Sequence, residues 1–248
     1  MGLTGTIGGM TMSRLLLSML LPIPLGLHAA ELSVLVDTST DMPMARFERG
    51  RLAEGIHKDI GQALAGAMGR TAVFVALPRK RIVRALEDGS ADVLCSYVPE
   101  WLNGSFRWSQ AFIPITELLI TTRSAARPRS VADVAGQPIG TVLGYSHPEL
   151  DEMLGKAFIR DDSANSLINL RKLAVGRVRH AVTSKFFLDY RQKLGDPVLA
   201  LHPPLAVKSY MGQCAVSPKG KVKLADVDKA IGRLIAADAI TAILARYQ

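Results

Sequence analysis

Residues 71–96 read TAVFVALPRKRIVRALEDGSADVLCS. The seven residues 71–77 form a buried strand, 81–87 a helix closed by Asp88-Gly89, and 91–96 the next strand. Strand, helix and strand joined by short turns make a βαβ unit, and such units argue for a mostly parallel α/β sheet. Toward the amino end, 32–36 (LSVLV) is another β-rich run that ends in the polar loop DTSTDMP. Between them Ile56, Ile60, Leu64 and Met68 recur at helical spacing over 55–68, and Gly69 stops the helix.

A second series lies toward the carboxyl end. A long β-rich segment, 111–122, and a polar linker, 123–129, lead to Ser130-Val-Ala-Asp133, which has capping-box spacing with Asp in place of the usual Glu. Strands are expected at 139–143, 178–183 and 205–216. Helices are expected after Pro148, at 166–175 and at 185–194, with a helical tail over 222–247. There is no internal repeat and no low-complexity tract.

The chain has 248 residues, a formal net charge of +8, 48% hydrophobic residues and 2 cysteines. This composition excludes a disulfide-dense mini-protein, a collagen and a disordered chain. The positive mean hydropathy traces largely to one segment near the start. Arg14, the apolar stretch 15–27 broken by Pro and Gly, and the exit His28-Ala29-Ala30 have the pattern of a cleaved secretory leader, residues 1–30. Beyond it no run approaches the roughly 20 apolar residues of a membrane span. No Cys lies near the exit, so no lipid anchor is expected. An exported, periplasmic protein is the expectation. Nucleic acid is not an expected partner, because no zinc, RRM-like or helix-turn-helix signature appears. The basic clusters 79–81, 123–129 and 171–179 read as a solvated face.

In order along the chain, 32–36, Pro43-Met-Ala-Arg-Phe47, Gly55-Ile-His-Lys-Asp59, Pro78…Arg81…Ala85-Leu-Glu-Asp-Gly89…Ala91-Asp-Val93, Trp108-Ser109, 131–140 and 173–178 resemble the periplasmic solute-binding proteins of family 3, the polar-amino-acid receptors of ABC importers. The resemblance implies an α/β fold of the two-lobed periplasmic-binding-protein type (type II), with a hinge of two crossing strands. Lobe 1 would be 31–114 with 209–248, and lobe 2 would be 115–208. It also implies a monomer that captures a small molecule and hands it to an ABC permease, with no cofactor.

In open α/β sheets the loops after the strands face the crevice. Those loops supply the candidate ligand-binding residues: Thr38, Asp41, Arg79, Tyr97, Trp101, Tyr145, Ser146 and Ser184. Two departures bear on the ligand. Trp101 stands where the resembled receptors carry an Arg for the α-carboxylate, and Ser184 stands where they carry an Asp for the α-ammonium. A small polar or anionic ligand is therefore expected rather than an ordinary α-amino acid. Residues 144–147 precede a helix with Pro148 first, and backbone N–H groups there suit an anion. Tyr97 and Trp101 are read as stacking on the ligand, with Trp101 at the cleft rim rather than in the core. Arg79 could grip an anion, although Arg79 and Arg81 read first as solvated surface.

His57, His147, His180 and His202 lack ligand spacing, so no metal site is expected. No Gly-x-Ser-x-Gly elbow, His-Glu-x-x-His site or phosphate loop appears. Binding rather than catalysis is the expectation. The alternatives are a lyase on the same fold, for which Asp41 and Glu100 could pair, and an exported sensory or accessory module not coupled to transport. Cys95 and Cys214 fall on strands that the fold brings together in lobe 1. An oxidising compartment permits a disulfide, but two small buried thiols are the first reading.

Overall fold

The computed structural model describes residues 1–6, 8–9, 29–195 and 200–248; the apolar stretch 15–27 of the expected leader lies outside them. In order come β1 (Glu31–Asp37), β2 (Arg46–Glu48), β3 (Arg51–Glu54), α1 (Ile56–Ala67), β4 (Thr71–Leu77), α2 (Arg79–Glu87), β5 (Val93–Tyr97), β6 (Arg107–Trp108) and β7 (Ile113–Thr121). They are followed by β8 (Pro138–Val142), α3 (Pro148–Leu154), β9 (Ile159–Ser163), α4 (Ser166–Ala174), β10 (His180–Ser184), α5 (Lys185–Lys193), β11 (Leu205–Val216), α6 (Leu224–Ala236) and α7 (Ala239–Ala245).

The main sheet runs β4-β1-β5-β11-β7-β10-β8-β9, with β6 beside β11. Its two ends are parallel: β1 pairs with β4 and β5, and β8 with β10 and β9. The middle is antiparallel. β11 pairs with β7 over 205–212 and then with β5 over 213–216, so one strand passes from one half of the sheet into the other.

Both faces of each half are covered. In β1, Leu32 and Val34 pack with Ile56, Ile60 and Leu64 of α1 and with Val227 and Ile231 of α6, while Leu35 packs with Ile82 and Leu86 of α2. That is why β1 reads as an apolar run rather than an alternation. In the second half Leu119 packs with Leu150 and Leu154 of α3, and its neighbours Leu118 and Ile120 with Leu173 of α4 and Leu188 of α5. No helix among the described residues is long and apolar enough to cross a membrane.

Several expectations are refined. α2 starts at Arg79, two residues early. The tail is two helices rather than one, parted at Asp238, whose φ is 51°. The Ser130–Asp133 capping box forms both of its bonds, on a short 3-10 turn. The preference for two free thiols is overturned: Cys95 and Cys214 are directly opposite in the β5–β11 ladder and form a disulfide.

Candidate functional site

The strand-end loops of the two halves face each other and enclose a cavity of about 130 Å³. Asp41, Arg79, Tyr97, Trp101, Tyr145, Ser146 and Ser184 all line it. Thr38 does not: it is exposed, its amide donates to Leu77 O at 3.0 Å, and Thr40 takes its place on the wall.

Arg79 is half-buried in this cavity, not solvated surface. Its Nη2 donates to Trp101 O at 2.7 Å and its Nε to Gly144 O at 3.3 Å. Its guanidinium lies 5.0 Å from the Tyr97 ring centre and 5.3 Å from that of Tyr145. Arg79 begins α2 immediately after β4, so the strand end aims it across the cleft; Arg81, two residues on, is exposed. Tyr97 donates to Asp37 Oδ2 at 3.3 Å, and burial, with Asp37 beside it, raises its phenol pKa. Trp101 meets Tyr97 and Tyr210 edge-on at 6.2 and 5.0 Å, so it belongs both to the cavity wall and to the packing behind it.

The expected carboxylate pair of Asp41 and Glu100 does not form. Glu100 is exposed and away from the cavity, and Asp41 Oδ2 accepts the Leu167 amide of α4 at 3.0 Å. Burial raises the Asp41 pKa, and the amides of Leu167 and Ser166 oppose this. A second carboxylate on the cavity wall beside Asp41 is Glu117, in mid-β7, buried and 2.6 Å from His147 Nδ1. The start of α3 is not an open anion site. Its first turn already carries Glu149 and Asp151, and the His147 ring turns toward Glu117.

His57, in the first turn of α1, also reaches the cavity, and burial lowers its pKa to about 4, so it is neutral at neutral pH. Among the described residues, seven cavity-lining side-chain atoms are buried without a hydrogen-bond partner: His57 Nδ1, Arg79 Nη1, Ser96 Oγ, Trp101 Nε1, Glu117 Oε2, His147 Nε2 and Thr183 Oγ1. Buried polar atoms are normally paired, and leaving one unpaired costs about 1–3 kcal/mol. Seven around one space form a polar lining with complementary ends. Arg79 can only donate, and an ionised Glu117 can only accept.

No protein-family model and no curated protein sequence matches the chain. Solved structures do match in shape. An ancestral arginine-binding protein bound to arginine superposes with a TM-score of 0.72 at 19% identity, over 89% of this chain and 99% of that one. An ancestral amino acid-binding protein, a precursor of cyclohexadienyl dehydratase, gives 0.70 at 16%, over 88% and 95%. An ABC uptake transporter substrate binding protein from Streptococcus pneumoniae with bound histidine gives 0.71 at 14%, over 88% and 92%.

The chain has the two-lobed periplasmic-binding-protein fold.

In that frame the cavity lies between the lobes, and Glu117 sits beside a position singled out in the sequence. The resemblance set Ser184 at the position of an acid, and Glu117 is the direct partner of Ser184 across the β10–β7 ladder. The Ser184 hydroxyl is engaged as the cap of α5, accepting the Phe187 amide at 3.2 Å. The resemblance likewise set Trp101 at the position of an Arg, and Arg79 brings a guanidinium into the cavity from a different strand end. Glu117, His57 and Thr183 were not expected at the cavity from sequence, while Ser96 and His147 fell in crevice-facing loops without being singled out. A single Glu within the apolar run IPITELLIT was the one available signal.

Proposed function

We propose that this chain is an exported, monomeric solute-binding protein whose lobes, residues 31–114 with 209–248 and residues 115–208, close on a small polar molecule for delivery to an ABC permease. The observation that carries the reading is the ring of unpaired buried polar atoms around the interlobe cavity. The ligand this lining favours is bipolar: an anionic or carbonyl end toward Arg79 and a hydrogen-donating end toward Glu117 and His147. Asp41, Tyr97, Trp101, Tyr145, Ser146 and Ser184 complete its wall. Closure is driven by the ligand's greater affinity for the closed form. Export is supported by β1, which begins at Glu31 directly after the expected cut, and by the Cys95–Cys214 disulfide, since such bonds persist in oxidising compartments.

A thermal-shift screen of amino acids, carboxylates, polyamines and sugars tests the binding reading. A ligand at 100 times its Kd adds about 2.7 kcal/mol, enough to move the transition by several degrees. A screen in which nothing moves it counts against the reading. Adjacent genes for a permease and an ATPase would support import, whereas a neighbouring sensor kinase would favour an accessory module.

One observation favours a second reading. His147, oriented by Glu117 and presenting an unpaired Nε2 to the cavity, has the arrangement of a general base. A lyase on this site would convert the molecule that the screen identifies, and its NMR spectrum would change with time in the presence of protein. A spectrum that is unchanged after prolonged incubation leaves binding alone.

A further inference from the structure

Ser96 is the one strand residue among those described with a left-handed backbone, φ 67°. That conformation is disfavoured for any residue with a Cβ. The ladder register shows its origin. Cys95 is opposite Cys214 and the next pair is Tyr97 with Gln213, so Ser96 has no partner across the strand. It is a bulge. Side chains of consecutive strand residues normally point to opposite faces. Here Ser96 and Tyr97 both line the cavity, Ser96 with an unpaired buried hydroxyl and Tyr97 beneath the Arg79 guanidinium. The disulfide sits on the last pair before the bulge.

Such a bulge marks a one-residue mismatch between two registers. On the core side Leu94 and Cys95 are held against Ala215 and Cys214; on the cavity side Tyr97 is held against Gln213. Sliding β5 by one residue would remove the bulge, return Ser96 to extended backbone and turn side chains to the opposite faces. A covalent bond between the strands forbids that slide.

We propose that the Cys95–Cys214 disulfide is a positioning device for the cavity: it clamps the core-side register and so keeps Ser96 left-handed, with Ser96 and Tyr97 both turned toward the ligand. The purpose assigned to the clamp rests on reading the cavity as the binding site; the clamp itself can be measured without any ligand.

Ser96→Gly accepts the left-handed backbone freely, and Ser96→Val tolerates it least. If the closed disulfide enforces that backbone, linkage requires both variants to shift the thiol–disulfide equilibrium. In glutathione redox buffers Ser96→Val should be half-reduced at a more oxidising poise than wild type, and Ser96→Gly at a more reducing one. A common midpoint for all three proteins would overturn the proposal. In a Cys95→Ala/Cys214→Ala protein, the Ser96 amide-to-Hα coupling measured by NMR should move from the left-handed to the extended value; retention of the left-handed value overturns it equally. The binding reading stands or falls separately, on the ligand screen.

Discussion

His147 Nδ1 and Glu117 Oε1 lie 2.6 Å apart, joining the residue just before α3 to the middle of β7, 30 positions earlier in the chain. Both side chains are almost fully buried, and the outer atom of each, His147 Nε2 and Glu117 Oε2, faces the interlobe cavity without a partner. The pair is therefore part of the fold and part of the site. Each partner limits what can be done to the other.

Removing one member leaves the other stranded. His147→Ala should cost about 3–5 kcal/mol, because a buried carboxylate loses its donor. Glu117→Gln keeps an acceptor for Nδ1 and removes the charge, so about 1–2 kcal/mol is expected. The double change to leucine should recover most of the His147→Ala loss, since apolar replacement of a buried pair is often neutral. Urea denaturation of the three variants checks the order. A Glu117→Gln protein less stable than His147→Ala would mean that the carboxylate is not held as an anion.

Burial holds the His57 imidazole at a pKa of about 4, below its ordinary 6.5. Between those values the unfolded chain binds the proton and the native one does not, so stability must fall as pH drops through that window. The full loss is about 3 kcal/mol. It is present above pH 6.5 as stability and is gone below about 4. His57→Phe should flatten the slope between pH 6.5 and 4 relative to wild type. Parallel stability–pH curves for the two proteins would show that His57 titrates normally.

The main architecture was legible because both faces of the strands are covered. The run TAVFVAL marks β4 at its observed bounds, although β4 is an edge strand and none of its residues is fully buried, contrary to the buried strand expected. The residues at and after strand ends (Arg79, Tyr97, Trp101, Tyr145 and Ser184) reach the cavity as the α/β crevice rule requires. What was hidden has local causes. β9, IRDDS, is an edge strand with two aspartates, so no apolar pattern announces it. The β2–β3 hairpin turns through Arg49 and Gly50, both at positive φ, and an arginine is a poor advertisement for that turn. Glu117 sits inside a strand rather than after one, where the loop rule does not look. Nothing in Cys-Ser-Tyr foretells a left-handed serine. That bulge appears only when β5 is aligned with a strand more than a hundred residues later.

Asp41 offers a contrast with Glu117. Its carboxylate accepts the Leu167 amide across the cleft, and burial raises its pKa. A raised carboxyl pKa means that the native state holds the proton more tightly, so this group favours the native form at acid pH. That contribution disappears as pH rises through the native value. Asp41→Asn keeps an acceptor for Leu167 without a buried charge, and at pH 7 it should be as stable as wild type or slightly more so. Asp41→Ala leaves the α4 amide unmet and should cost about 1 kcal/mol, the scale of a lost helix cap. Thermal denaturation at pH 7 distinguishes the two. An asparagine variant as damaged as the alanine one would show that the charge itself is required.

Trp101 was expected to stand at the cleft rim, with truncation harming binding alone. Its environment says otherwise. The indole packs against two core clusters of the first lobe and meets Tyr97 and Tyr210 edge-on, with ring planes inclined at 81° and 72°. It also forms part of the cavity wall, and its carbonyl anchors Arg79. Trp101→Ala should therefore reduce stability and affinity together. Because the side chain is only half-buried, the stability loss should be about 2–3 kcal/mol, below the 3–5 kcal/mol of a fully buried aromatic. Trp101→Phe keeps an aromatic ring against Tyr210 and should return stability to within about 1 kcal/mol of wild type, while a smaller ring leaves part of the cavity wall missing. Denaturation curves and titration with a ligand from the screen, on the same two variants, separate the contributions. An alanine variant that keeps wild-type stability and loses only affinity would restore the rim assignment; one that loses stability but binds normally would remove Trp101 from the site.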